Sequence, residues 1–229
     1  MPDLGVGTIV DVSATYESCE KVLALAGKYP HVYAAIGVHP DEVGELNEDK
    51  IQHMKELCCN KKVVAVGEIG LDYYWDNEPH EVQQKWFIRQ LELAGEVKKP
   101  VIIHSREAAA DTMYIMKNYA QGLDGVIHCY SYSREMAEEY VKMGFYIGIG
   151  GVVTFKNAKK LKDVAAAIPI EKIVLETDCP YMAPEPYRGK RNQSSYIRYV
   201  AEKIAELKEM SQEEVIAVTE KNARDLYGI

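Results

Sequence analysis

Four residues that can bind a metal ion each stand at the end of a short apolar run. They are Glu68 in VVAVGEIG, His104 in VIIHS, His128 in GVIHCY and Asp178 in IVLETD. An apolar run that ends in a polar residue before a helical segment is typical of a parallel strand entering its loop. Carboxylates and imidazoles hold divalent ions, which lower the pKa of bound water to roughly 7. The set therefore predicts a hydrolase that uses one or two divalent ions.

The predicted catalytic set is Asp178, Glu68 and His39, the last in the segment GVHPDE. The Glu68 carboxylate can bridge two ions, and Asp178 can bind an ion and also accept a proton from water. His39 would orient substrate or transfer a proton. As a turn residue beside Pro40 it would have no chemical role, and the sequence leaves both interpretations open. Asp72, in GLDYY, is expected to support a ligand histidine from behind.

Strand alternation assigns faces to the residues around these ligands. Glu176 and Asp178 fall on one face of VLETD. In GVIHCY, His128 shares the inner face with Val126, and Cys129 is expected to point away toward the helices. We therefore interpret Cys129 as a packed thiol and not as a ligand.

Four basic residues follow the predicted strand ends and are the predicted substrate-binding residues: Arg106, Arg188, Lys190 and Arg191. Guanidinium and ammonium groups there could hold a phosphate, although exposed charges are often only solvated. Tyr73, Tyr74 and Trp75 form an aromatic run in a loop that is expected to lie over the proposed site. Its rings could stack on bases or simply cover the end of a barrel, and both readings stay open.

Strand-like and helix-like segments alternate along the whole chain. Seven strands are predicted, at 8–14, 32–38, 63–69, 101–105, 125–130, 145–150 and 173–178. Helices are predicted at 16–28, 46–59, 80–98, 107–120, 133–143, 158–167, 193–208 and 211–227. The alternation predicts an α/β fold of the TIM-type (β/α)8 barrel class, which places its chemistry at the C-terminal ends of strands. With no change in composition along its length, residues 1–229 are predicted to form one domain.

Composition sets limits on the class of protein. No apolar stretch is long enough to cross a membrane, so no membrane partner is expected. The five cysteines form no CxxC pair, which favours a reducing cytoplasm. A net charge of −8 argues against a broad nucleic-acid surface, though not against a narrow basic groove.

Several motifs in fixed order resemble the TatD family of metal-dependent deoxyribonucleases, within the amidohydrolase-like TIM barrels. They are GVHPDE, VGEIGLDYY, PVIIHSREA, HCYS, ETDCPY and RGKRN. The resemblance implies that Glu68 is a carboxylate shared by two metals, that His104 and His128 bind the second metal, and that Asp178 binds the first. It also implies that His39 lies close to the active site. For its activity, the resemblance implies a magnesium- or manganese-dependent nuclease that acts on DNA, often as a 3′→5′ exonuclease. Zinc is also seen in the metal site of this family.

The sequence departs from the family pattern in one respect. Relatives begin with a strand ending in His-x-His, which supplies two ligands of the first metal, and no His-x-His occurs here. The chain is therefore expected to start inside the second β/α unit, with the first strand of the barrel missing. The first metal would then keep only Glu68 and Asp178, whereas the second would keep Glu68, His104 and His128.

The leading interpretation is cleavage of phosphodiester bonds in DNA, with single-stranded DNA or 3′ ends as partner. A second is a metal-dependent amidase or esterase such as a D-aminoacyl-tRNA deacylase, an activity attached to some members of the family. A third is a non-catalytic metal- or nucleic-acid-binding remnant. The fold alone does not separate them, because TIM barrels host many chemistries.

Overall fold

The computed structural model describes residues 2–75 and 77–229. Among these residues, seven strands alternate with helices, which confirms the predicted α/β class and the predicted number of strands. The strands are β1 (Ile9–Val12), β2 (Val32–Ile36), β3 (Val63–Asp72), β4 (Val101–Arg106), β5 (Gly125–Ile127), β6 (Tyr146–Ile149) and β7 (Ile173–Leu175). The helices are α1 (Tyr16–Lys28), α2 (Glu48–Leu57), α3 (His80–Val97), α4 (Ala109–Tyr119), α5 (Arg134–Lys142), α6 (Lys159–Ala167), α7 (Ile197–Lys208) and α8 (Gln212–Tyr227).

The strand boundaries differ from prediction where the site residues lie. β3 continues to Asp72, so this residue ends the strand instead of lying in the loop. β5 and β7 stop earlier than predicted, and His128 and Asp178 therefore lie beyond the strand ends. Beyond β5 the backbone turns at once, because Cys129 adopts a left-handed conformation with φ 44°.

The chain divides into two compact units. The N-terminal unit comprises residues 7–125 and 227–229, and the C-terminal unit comprises residues 126–226 together with 2–6. Each unit is described separately below. The prediction of a single domain over residues 1–229 stays a prediction.

The N-terminal unit is built on β1 to β4, which pair in parallel in chain order. β3 is buried over its whole length except at Glu68, as its almost continuous apolar sequence predicts. Two glycines flank Glu68 and let neighbouring backbones come close. A Cβ on Gly67 would lie 2.6 Å from Cβ of Ile102, and one on Gly70 would lie 1.9 Å from the carbonyl oxygen of His104. No side chain larger than hydrogen fits at either position.

Helix α3 carries two fully buried glutamines two turns apart, and each holds the backbone of a site-bearing segment. Gln90 accepts from the backbone N–H of Val38 at 2.8 Å and donates to the Val38 carbonyl at 3.1 Å. Gln83 accepts from the N–H of Asp72 at 2.9 Å and donates to the Asp72 carbonyl at 3.0 Å. Both glutamines are 0% exposed. They pair backbone groups beside the ends of β2 and β3, which burial would otherwise leave without partners.

The C-terminal unit contains β6, which pairs in parallel with β5 and with β7. Apolar faces of α6 and α7 bury Leu161, Val164, Val200 and Ile204. Asn222 on α8 donates to the carbonyls of Ile170 and Ile173, which fixes the start of β7. In the described part of the chain, no helix is both long enough and apolar enough to span a bilayer.

Candidate metal and catalytic site

In the N-terminal unit, one histidine lies between two carboxylates. His104, on β4, has its Nδ1 atom 2.9 Å from Oε1 of Glu68 and its Nε2 atom 2.9 Å from Oδ2 of Asp72. Both carboxylates come from the neighbouring strand β3, whose parallel register pairs Gly70 with His104. The contact between His104 and Asp72 is the support that the sequence led us to expect.

Asp72 is a buried carboxylate that stays ionised. Burial pushes its pKa upward, but the hydrogen bond and charge of His104, with the N–H groups of Trp75 and Tyr74, outweigh burial and lower the pKa. Its Oδ1 atom accepts from the N–H of Tyr74 at 2.9 Å and of Trp75 at 3.2 Å. Because an ionised carboxylate can only accept, Nε2 of His104 carries the proton between them.

His39 lies beside this group. Its ring centre is 4.4 Å from that of His104, and its Nδ1 atom accepts from the N–H of Asp41 at 3.3 Å. Oδ2 of Asp41 lies 3.6 Å from the same nitrogen. Burial raises the pKa of Asp41 to about 6; the charge of Asp72 adds to the rise, and His104 and Arg106 oppose it.

The donor set of the N-terminal unit fits a divalent ion. Ligand atoms of His39, Glu68 and His104 all lie within 4.8 Å of one another. Two acceptors 2.9 Å apart, such as Nδ1 of His104 and Oε1 of Glu68, need positive charge between them. A proton on Nδ1 of His104 can supply this positive charge, and so can a divalent cation bound between the two atoms. Zinc bonds of 2.0–2.1 Å set neighbouring ligands about 3.3 Å apart, close to this spacing.

The C-terminal unit holds a second cluster around His128. Its Nδ1 atom lies 2.6 Å from Oε2 of Glu176, and its Nε2 atom lies 3.8 Å from Oδ1 of Asp178. The Nδ1 proton is therefore directed at Glu176, and Nε2 is presented on the side of Asp178. Glu176 also accepts from the N–H of Cys129 at 3.0 Å. A Cβ on Gly148 would lie 2.7 Å from Oε2 of Glu176, so glycine makes the room that this side chain occupies.

The expectation that Cys129 points away from the ligands is wrong. A ligand atom of Cys129 lies within 4.8 Å of those of His128 and Glu176. Strand alternation ends at Ile127, and the left-handed backbone at Cys129 redirects the side chain.

The predicted substrate-binding residues lie in different places. Arg106 ends β4 in the N-terminal unit, and its guanidinium carbon is 3.7 Å from the ring centre of Tyr74. Arg188, Lys190 and Arg191 lie in the exposed loop after β7. Arg188 stacks against Phe155, 4.2 Å from its ring centre. The substrate roles of all four remain predictions, as do the ligand and catalytic roles of Glu68, His104, His128, Asp178 and His39.

Sequence reasoning missed two carboxylates of these clusters. Glu176 was placed on the face of Asp178 but was given no role, although the Glu-x-Asp spacing at a strand end is a usable signal. Asp41 lies two residues after His39 in GVHPDE, and only its proximity to His39 and Asp72 in the folded chain reveals that it belongs to the cluster.

Comparison with known proteins places the chain in a family. The sequence profile described as TatD related DNase matches residues 2–228. YabD of Bacillus subtilis (strain 168), described as an uncharacterized metal-dependent hydrolase, is 46% identical over 225 residues, covering 98% of this chain and 88% of YabD. The crystal structure of YJJV, a TatD homolog from Escherichia coli K12, matches with a TM-score of 0.92 at 33% identity. The match covers 99% of this chain and 88% of that one.

An uncharacterized amidohydrolase from Saccharomyces cerevisiae shares the fold alone, with a TM-score of 0.84 at 18% identity over 95% of this chain and 88% of that chain. These structural matches confirm the predicted α/β fold of TIM type. The profile match over nearly the whole chain and the identity to YabD agree with the ligand clusters in both units. The chain belongs to the family of TatD related DNases and is a metal-dependent hydrolase of that family.

Proposed function

We propose that this chain hydrolyses phosphodiester bonds of DNA, with one or two divalent ions (Mg, Mn or Zn) as cofactor. The observation that carries the proposal is the His104 imidazole held between Glu68 and Asp72, in a chain of this family. Arg106 supports a phosphoryl substrate, because it supplies positive charge close to an otherwise acidic cluster.

The residues divide the work of the reaction. Glu68 and His104 would hold an ion in the N-terminal unit, with His39 as a further ligand or as a group that moves a proton. His128 and Asp178 would do so in the C-terminal unit. A bound divalent ion would lower the pKa of water to roughly 7 and polarise the phosphoryl group.

The other groups keep these ligands in place and handle protons. Asp72 keeps the Nε2 proton of His104 in place, so that Nδ1 faces Glu68. In the same way, Glu176 holds the proton on Nδ1 of His128, so that Nε2 of His128 faces Asp178. Asp178 would accept the proton of the attacking water. Arg106 would pair with a non-bridging oxygen of the phosphate.

Cleavage of end-labelled single-stranded DNA tests the proposal. Wild type is compared with Asp178→Asn and Glu68→Gln, with each of the three metals, and labels at either end report the direction of attack. Metal-dependent cleavage that both variants lose by about a hundredfold or more supports the assignment. Hydrolysis of a D-aminoacyl ester without cleavage of DNA would replace the phosphodiesterase by a deacylase. Binding of metal and DNA without turnover of either substrate, in a folded chain, would make this a binding protein.

A further inference from the structure

Two aromatic side chains stand exposed directly beside the N-terminal cluster. Tyr74 is 50% exposed and Trp75 is 58% exposed, and both follow Asp72 at the end of β3. Large aromatic rings usually bury their faces in a core or against a partner. Their exposure next to candidate metal ligands leaves both rings accessible to a ligand bound at the cluster.

Arg106 joins these rings to form one surface, the Tyr74–Trp75–Arg106 platform. The guanidinium carbon lies 3.7 Å from the ring centre of Tyr74 and 5.5 Å from that of Trp75. The two rings are 5.0 Å apart and nearly perpendicular, at 85°. Arg106 lies closer to the ring of Tyr74 than to that of Trp75, and Trp75 is the more exposed of the two, so Trp75 is the ring better placed to stack on a flat partner.

Asp72 fixes the platform to the site. Its Oδ1 atom accepts from the N–H groups of Tyr74 and Trp75, whereas its Oδ2 atom contacts Nε2 of His104. The N–H of Tyr73 donates to the Arg106 carbonyl at 2.9 Å, which ties the same loop to β4. A platform held in this way loses little conformational freedom when a ligand binds.

We propose that the platform binds an unpaired nucleobase of the strand whose phosphate is hydrolysed, and the proposal rests on the proposed function. Trp75 stacks on the base, and the edge of the Arg106 guanidinium takes an adjacent phosphate oxygen. Every base has a flat face, so this stacking contact does not depend on the base sequence of the DNA. It requires a base that has left its own stack, which selects single strands and frayed ends over intact duplex.

Equilibrium binding in the Asp178→Asn background tests the platform apart from turnover. The probes are a short fluorescent oligothymidylate and an oligomer of the same length built from abasic residues, which keeps the phosphates and lacks the bases. Trp75→Ala should weaken binding of oligothymidylate by about 5- to 100-fold and leave the abasic oligomer unchanged. Trp75→Phe should restore most of the affinity, because it keeps an aromatic face. Tyr114→Ala is the matched control, since Tyr114 is 64% exposed on α4.

Tryptophan emission gives a second readout. Of the two tryptophans in the chain, Trp86 is only 6% exposed, so quenching by a stacked base reports on Trp75. Oligothymidylate should quench the emission and the abasic oligomer should not. Equal affinities of wild type and Trp75→Ala, or equal binding of the two oligomers, would overturn the platform even if DNA is cleaved. Selective quenching without cleavage by any form would keep the platform and refute the phosphodiesterase.

Discussion

Asp72 uses its two carboxylate oxygens for different tasks, one for His104 and one for the backbone of the aromatic loop. We expect Asp72→Asn to lower divalent-metal affinity by about 10- to 100-fold, the usual effect of removing a carboxylate behind a ligand histidine. The amide oxygen can still accept from the N–H of Tyr74, so the loop should keep its conformation. Calorimetric metal titration measures the change. Asp111→Asn is the control, because Asp111 accepts from the hydroxyl of Tyr73 and not from His104; an Asp72→Asn affinity equal to that of this control contradicts the assigned role.

Metal content distinguishes the two histidine clusters. Each of His104→Ala and His128→Ala removes one candidate ligand from its own unit, so each purified variant should bind less metal per chain than wild type. Elemental analysis after dialysis against a fixed free-metal concentration gives the numbers. His31→Ala should behave like wild type, since His31 belongs to neither cluster. Unchanged metal content in both cluster variants would show that the ligands lie elsewhere.

The sequence predicted Glu68, His104, His128 and Asp178 because a ligand-type residue at the end of an apolar run is a local pattern. Of the groups that hold these ligands it predicted Asp72, but neither Glu176 nor Gln90. The bond between His128 and Glu176 spans 48 positions and that between Gln90 and Val38 spans 52. Nothing local in the chain encodes such pairs, because they follow from strand register and from the orientation of a helix across the sheet.

Helix α3 shows how an element holds a site that lies on its neighbours. Gln90→Ala leaves the buried N–H and C=O of Val38, the residue before His39, without partners. Each unsatisfied group costs about 1–3 kcal/mol, so the free energy of unfolding should fall by about 2–6 kcal/mol. Denaturant unfolding measures it, with the exposed Gln121→Ala as control. A loss for Gln90→Ala as small as that of the control would mean that water or a backbone shift replaces the glutamine.

The end of helix α2 places two adjacent cysteines in opposite environments. Burial raises the pKa of Cys58 to about 12, against an opposing effect of Lys99, whereas Cys59 is exposed. Only a thiolate reacts, so at pH 8 iodoacetamide should modify Cys59 and leave Cys58 intact until the chain is unfolded. Peptide mass spectrometry with and without denaturant compares the two sites. Equal labelling of both cysteines in the folded protein would contradict the buried placement of Cys58.

At the scale of the whole molecule, the chain crosses between its two units at residues 6/7, 125/126 and 226/227. Independent domains are usually joined by a single linker, so repeated crossing favours one cooperative unfolding transition. We expect calorimetric and van't Hoff enthalpies to agree within error. Two resolved transitions would divide the predicted single domain into two folding units.

Glu68 owes its position to the two glycines on either side of it, where even a methyl group would collide with β4. For protein engineering, this separates what can be redesigned from what cannot. Metal preference can be altered by exchanging the side chains that project into the cluster, provided that Gly67 and Gly70, which let β3 lie close against β4, are kept. A designer who transfers these ligands to another barrel must therefore also transfer the glycines beside Glu68.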